Sequence, residues 1–150
     1  MSLAVATVVI DAPRPLVWAL LVRQDTVPAI IPGMEVILGW HVGEPFLWTV
    51  EVAGRRSHIE GFVRRMVADH LLDYEYGDPQ GHPVPDSDHL HHVTIELFDE
   101  GPSTRVIVTQ ESATQTAQAQ AERSWRFALH NLKHLVELDQ HLRTSLKRAR

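Results

Sequence analysis

The chain has 150 residues, 44% hydrophobic and 22% charged, with a net charge of −5 when histidine is neutral. That is the size and composition of one globular domain, able to bury roughly 70% of the surface its unfolded form exposes. It contains no cysteine, which excludes disulfides, thiolate metal sites and a cysteine nucleophile.

Acidic and basic residues are interspersed, and the only basic cluster is Lys147, Arg148 and Arg150. Such a cluster complements the negative end of a helix, and no basic stripe announces a nucleic-acid partner. No apolar run approaches the roughly 20 residues needed to cross a bilayer, so membrane insertion is not expected. The start, Met1-Ser2-Leu3-Ala4, lacks the basic residues and apolar stretch of a secretion signal, and the expected location is cytoplasmic.

In chain order, residues 4–10 are rich in β-branched side chains and predict a strand. Asp11-Ala12-Pro13 interrupts it, and the spacing of Leu16, Val17, Leu20 and Leu21 predicts a helix over about 13–22. A second helical piece covers about 25–31 and stops before Pro32-Gly33. The period then becomes two. Met34, Val36, Leu38 and Trp40 alternate, a turn follows at Val42-Gly43-Glu44-Pro45, and Phe46, Trp48, Val50 and Val52 alternate as far as Gly54. A third such strand covers 57–66 around Gly61, whose missing side chain allows a bend or bulge. Leu72, Tyr74 and Tyr76 share one face of the next, with Asp73 and Glu75 on the other. Pro79, Gly81, Pro83 and Pro85 make 77–88 a loop. Val93, Ile95 and Leu97 alternate, as do Val106 and Val108, and the short turns make the sheet antiparallel.

After Glu111 the period is helical. Ser112 with Gln115 fits a capping box, and Trp125, Ala128, Leu129, Leu132 and Val136 lie in a broad apolar stripe. One helix of about 25 residues, some 38 Å, is expected. Only the concave face of the sheet offers enough apolar surface to bury its stripe. The fold class is therefore α+β: one domain, 1–150, with a curved antiparallel sheet wrapped around a long C-terminal helix and two short helices after the first strand.

Several motifs in this order resemble the START-like helix-grip superfamily, also called SRPBCC, which includes birch-pollen-allergen-like and polyketide cyclase-like proteins. Ile10-Asp11-Ala12-Pro13 through Val17-Trp18 is similar to an I-x-A-P-x-x-x-V-W opening, and Val42-Gly43-Glu44-Pro45-Phe46 to a V-G-x-x-F turn. Gly61-Phe62-Val63, Leu72-Asp73-Tyr74-Glu75-Tyr76, the strands at 93–97 and 104–109, and Trp125 with Leu129, Leu132 and Lys133 continue the match. Within the superfamily the chain is most similar to the family of the activator of heat-shock-protein 90 ATPase. The resemblance implies an apolar cavity for small molecules or lipids, used in some members for cyclisation or hydration. It also brings a chaperone-stimulating role into view, although the chain lacks the additional chaperone-binding domain of eukaryotic activators.

Strand parity identifies the inward residues. With Val93 inward, so are His91 and His89, while His92 points out. Trp48, Val50, Tyr74, Tyr76, Val108 and Gln110 join from other strands, and Trp125, Leu129 and Leu132 from the helix. Together they outline an apolar site with a few convergent polar groups. His91 is the sharpest catalytic candidate, with Tyr74 or Tyr76 as partner, because an imidazole shuttles protons near neutral pH. His89 and His91 share a face as zinc ligands do, but no third ligand joins them, since His58 and Glu60 have the opposite parity to Ile59 and Gly61. No metal or cofactor is expected. No nucleophile elbow or phosphate-cradling loop occurs, and Glu51, Glu75 and Glu96 read as solvated outer-face charges.

The expected function is binding of an apolar or aromatic small molecule or lipid. A cofactor-independent cyclase or hydratase using His91 and a tyrosine stays open, as does an ATPase-stimulating interaction module. A homodimer and a chaperone are the protein partners left open.

Overall fold

The computed structural model describes residues 2–52, 54–77, 90–112 and 114–149. Elements follow in the order β1 (Ser2–Ile10), α1 (Arg14–Val22), α2 (Val27–Ile30), β2 (Met34–Leu38), β3 (Pro45–Val52), β4 (Arg55–Val67), β5 (Leu71–Gly77), β6 (Leu90–Glu100), β7 (Ser103–Ser112) and α3 (Gln115–Arg148). The seven strands form one antiparallel sheet ordered β1-β7-β6-β5-β4-β3-β2. Every neighbour is consecutive in sequence except β1, which returns to pair with β7, Ser2 opposite Ser112 and Ile10 opposite Thr104.

Period-two burial follows the sequence pattern closely. Ala4 and Ala6 of β1, Val93, Ile95 and Leu97 of β6, and Val106 and Val108 of β7 face inward and are buried. The helix stripe meets them through Ala128, Leu129, Leu132 and Val136, and α3 packs chiefly on β1, with smaller contacts to β7 and α2. The β3–β5 part of the inner face is covered instead by rings: Trp40, Phe46, Trp48 and Tyr74 lie with centroids 4.6 to 6.0 Å apart. Trp40 lies beyond the end of β2, yet joins this cluster. The expected loop over 77–88 falls outside the described residues except for Gly77, which ends β5.

Polar side chains of α3 line the free edge of β1. The Val5 amide donates to Glu122 (3.2 Å), the Asp11 amide to Glu137 (2.8 Å), and Lys133 Nζ donates to the Val9 carbonyl (2.8 Å). An unpaired strand edge is a template for another chain, and these contacts occupy it.

Three local features differ from expectation. The N-cap of α3 is Thr114, whose hydroxyl accepts from the Ala117 amide at 3.0 Å, rather than Ser112. Pairing with Ser2 holds Ser112 in β7, so the chain cannot turn into the helix there. The helix is 34 residues long, about 51 Å, because no breaker intervenes and the Asp139–Arg143 pair and basic Lys147 and Arg148 support turns beyond Val136, the last buried residue. Gly61 provides room more than bend: a Cβ there would lie 2.1 Å from the Phe46 ring and 2.3 Å from the Glu75 carbonyl oxygen. The bulge in β4 comes slightly later, between Val63 and Arg65.

Candidate functional site

Antiparallel register brings the inward polar groups of β5, β6 and β7 together. Tyr76 stands opposite His91, and Val93 opposite Gln110. The Tyr76 and His91 rings stack with centroids 4.9 Å apart at 29°. Across from them, Trp125 of α3 donates its indole N–H to Gln110 Oε1 at 2.7 Å. The helix lies over β1 and β7, whereas the ring cluster fills the far side of the sheet. Between these two packings a cleft of about 630 Å³ remains open. Ile30, Ile31 and Pro32 border one side, Tyr76, His91, Gln110 and Ser112 the sheet side, and Ala117, Gln120, Ala121, Ser124, Trp125, Phe127 and Ala128 the helix side.

Of the residues selected from sequence, Tyr76, His91, Gln110 and Trp125 border this cleft. Trp48, Tyr74, Val93, Val108, Leu129 and Leu132 are buried in the packed interior beside it, with Val50 partly buried against them. Both groups face inward; what separates them is whether other side chains cover them or leave them at the cleft wall. Burial holds the Tyr74 hydroxyl well above the ordinary phenol range, with the neighbouring Tyr76 adding to the effect. Tyr74 therefore stays protonated and does not act as a base.

Sequence reasoning passed over Ser112, Gln120 and Ser124 as site residues. In the sequence Ser112 reads as a cap, and the two helix residues lie just beside the apolar stripe. A second polar cluster, on the opposite face of the sheet, was also missed. Asp73 is only 3% exposed, accepts from Arg65 Nε at 3.1 Å and is bonded to His92 Nε2, whose Nδ1 lies 3.4 Å from Glu111. Glu75, read as solvated, pairs with Arg64 at 2.9 Å. No signal short of the strand register would have joined these residues. Among the described residues no group of three or more His, Asp or Glu is placed to hold a metal ion; His89 lies outside them. No described helix is long and apolar enough to cross a membrane.

A curved antiparallel sheet around a C-terminal helix, with a cleft between them, defines a helix-grip domain of the START-like type. The family model described as "Activator of Hsp90 ATPase homolog 1-like protein" matches residues 11–137, and the chain belongs to that family. Among solved structures, ChR145 from Cytophaga hutchinsonii is 26% identical with a TM-score of 0.77, the match covering 94% of this chain and 97% of that one. The Aha1 dimer from Colwellia psychrerythraea is 16% identical with a TM-score of 0.72 over 91% and 97% of the two chains. DynU16, from the dynemicin biosynthetic locus, is 15% identical with a TM-score of 0.74; the match covers 91% of this chain and 48% of DynU16. The last two likenesses speak for the fold alone. No curated protein matches the chain.

Proposed function

We propose that the protein binds an apolar or aromatic small molecule or lipid in the cleft between the sheet and α3. The observation that carries this reading is the cleft itself, about 630 Å³ with aromatic walls, within the size range of small-molecule sites. A thermal-shift and native mass-spectrometry screen with naphthalene derivatives and medium-chain fatty alcohols tests it. Binders are expected, and Trp125→Ala and Tyr76→Ala should weaken them while leaving the fold intact. Absence of any binder across both probe classes would refute the reading.

Catalysis is the second reading, supported by the Tyr76–His91 stack at the cleft wall and by the likeness to a protein of a biosynthetic locus. In a cyclase or hydratase, His91 would move the proton and a protonated tyrosine would steady the developing oxyanion. His91→Ala should then abolish turnover but not binding.

Protein partners have an observation of their own. Leu138, Leu142 and Leu146 are exposed on one side of α3, past its last buried residue. An antiparallel pairing of two copies about Leu142 sets Glu137 and Asp139 of one against Arg143, Lys147 and Arg148 of the other. A dimer is also the described state of the Colwellia neighbour. The chaperone role rests on the family description, and the same apolar stripe is one exposed surface available to it.

A further inference from the structure

Two polar groups at the cleft wall have hydrogen-bonding capacity that is not used. The Ser112 hydroxyl is buried, the residue being 4% exposed, and has no hydrogen-bond partner. Gln110, 6% exposed, is oriented by its neighbour: an indole N–H only donates, so the amide oxygen must face Trp125. The amide N–H₂ is thereby left as the unused end, and among the described residues no protein acceptor meets it. Gln110 and Ser112 are two apart on β7, on one face, so their side chains stand about 7 Å from each other. No Lys, Arg, Asp or Glu is among the described residues lining the cleft.

We infer that Gln110 and Ser112 form a recognition pair, and that the cleft takes a neutral aromatic molecule bearing a carbonyl oxygen in preference to a carboxylate of the same size. The inference rests on reading the cleft as a ligand site and narrows its chemistry. A carbonyl oxygen accepts from the unused Gln110 amide or from the Ser112 hydroxyl, and of these two the hydroxyl is the donor buried without a partner. A hydrocarbon fills the space between Tyr76, His91 and Trp125 but leaves both groups unsatisfied. A carboxylate loses its water without gaining a fixed cation. Ring walls on both sides favour a planar ligand.

Three probes of one shape test this: 2-acetylnaphthalene, 2-ethylnaphthalene and 2-naphthoate. Their dissociation constants are measured by equilibrium dialysis at pH 8, where naphthoate is ionised and an ordinary imidazole neutral. The ketone should bind about tenfold more tightly than the hydrocarbon, and naphthoate most weakly. Ser112→Ala should weaken the ketone about fivefold and leave the hydrocarbon unchanged. Equal binding of ketone and hydrocarbon, equal loss of both in Ser112→Ala, or tightest binding of naphthoate would each overturn the recognition pair. If the hydrocarbon binds in a Trp125-dependent way without such discrimination, the pair fails and the ligand site stands. If no probe binds the folded wild-type protein, the ligand site fails too.

Discussion

Gly61→Ala is the smallest change that tests how the sheet and its ring cluster fit together. The added Cβ would lie 2.1 Å from Phe46 Cζ and 2.3 Å from the Glu75 carbonyl oxygen. Phe46 is fully buried, and Glu75 O belongs to the neighbouring strand, whose next residue, Tyr76, pairs with Gly61. Neither obstruction is the loose end of a flexible side chain. Overpacking typically costs about 1–3 kcal/mol, and with a backbone atom involved the upper figure, about 3 kcal/mol, is expected. For a domain of this size that lowers the melting temperature by about 6–12 °C. Urea unfolding followed by tryptophan fluorescence measures the loss directly, and two further variants locate its cause. Gly54→Ala meets open space but a φ of +78°, so it should cost only the left-handed strain of about 1–2 kcal/mol. Adding Phe46→Leu to Gly61→Ala should give a coupling that recovers part of the loss, because it relieves the ring contact and not the carbonyl contact. If Gly61→Ala unfolds within about 0.5 kcal/mol of wild type, the close approach of Phe46 and β5 to Gly61 is refuted.

Leu142→Glu should leave the urea midpoint unchanged, since Leu142 is 52% exposed, but should abolish any concentration-dependent dimer seen by light scattering. A dimer that survives the charge would place the contact elsewhere. Glu137 supplies a pH dependence. Burial pushes its carboxyl up, but hydrogen bonds from Lys133 and the Asp11 amide outweigh this and hold it below the ordinary value of 4.5. A carboxylate lowered on folding contributes stability that is present above its unfolded pKa and lost as pH falls through the folded one. Glu137→Gln should therefore flatten the decline in stability below about pH 4.5 and change little of its slope above pH 6. An unchanged acid limb would rule out the contact between α3 and the β1 edge as its source.

The parts legible in the sequence were those governed by periodicity. Alternation at 93–97 and 106–108 identified inward faces that the structure retains, and the apolar stripe through Leu129, Leu132 and Val136 identified the buried side of α3. What periodicity lacks is position along a face. Tyr74 and Tyr76 have identical parity, yet one is packed among rings and the other borders the cleft. Trp40 and Phe46, remote in sequence, reach Tyr74 and bury it. Ser112 carried a capping signal, but a long-range strand pairing overrode it and made the residue part of the wall. Asp73 looked like an ordinary outward charge because its partners, Arg65 and His92, come from two different strands.

The return of β1 to β7 has a consequence for how the molecule is made. Ser2 meets Ser112, and Val9 meets Lys133 across 124 positions, so the cleft's sheet and helix walls are joined to the first strand only over very long loops. Hairpins β3–β4, β4–β5 and β6–β7 close locally, and their ring cluster can collapse early. Docking of β1 and α3 carries most of the loop-closure entropy and belongs at the end of the folding path. Formation of the cleft is thereby coupled to the docking of β1 and α3: an emerging chain would bury its aromatic half first and form the cleft only when β1 and α3 come together.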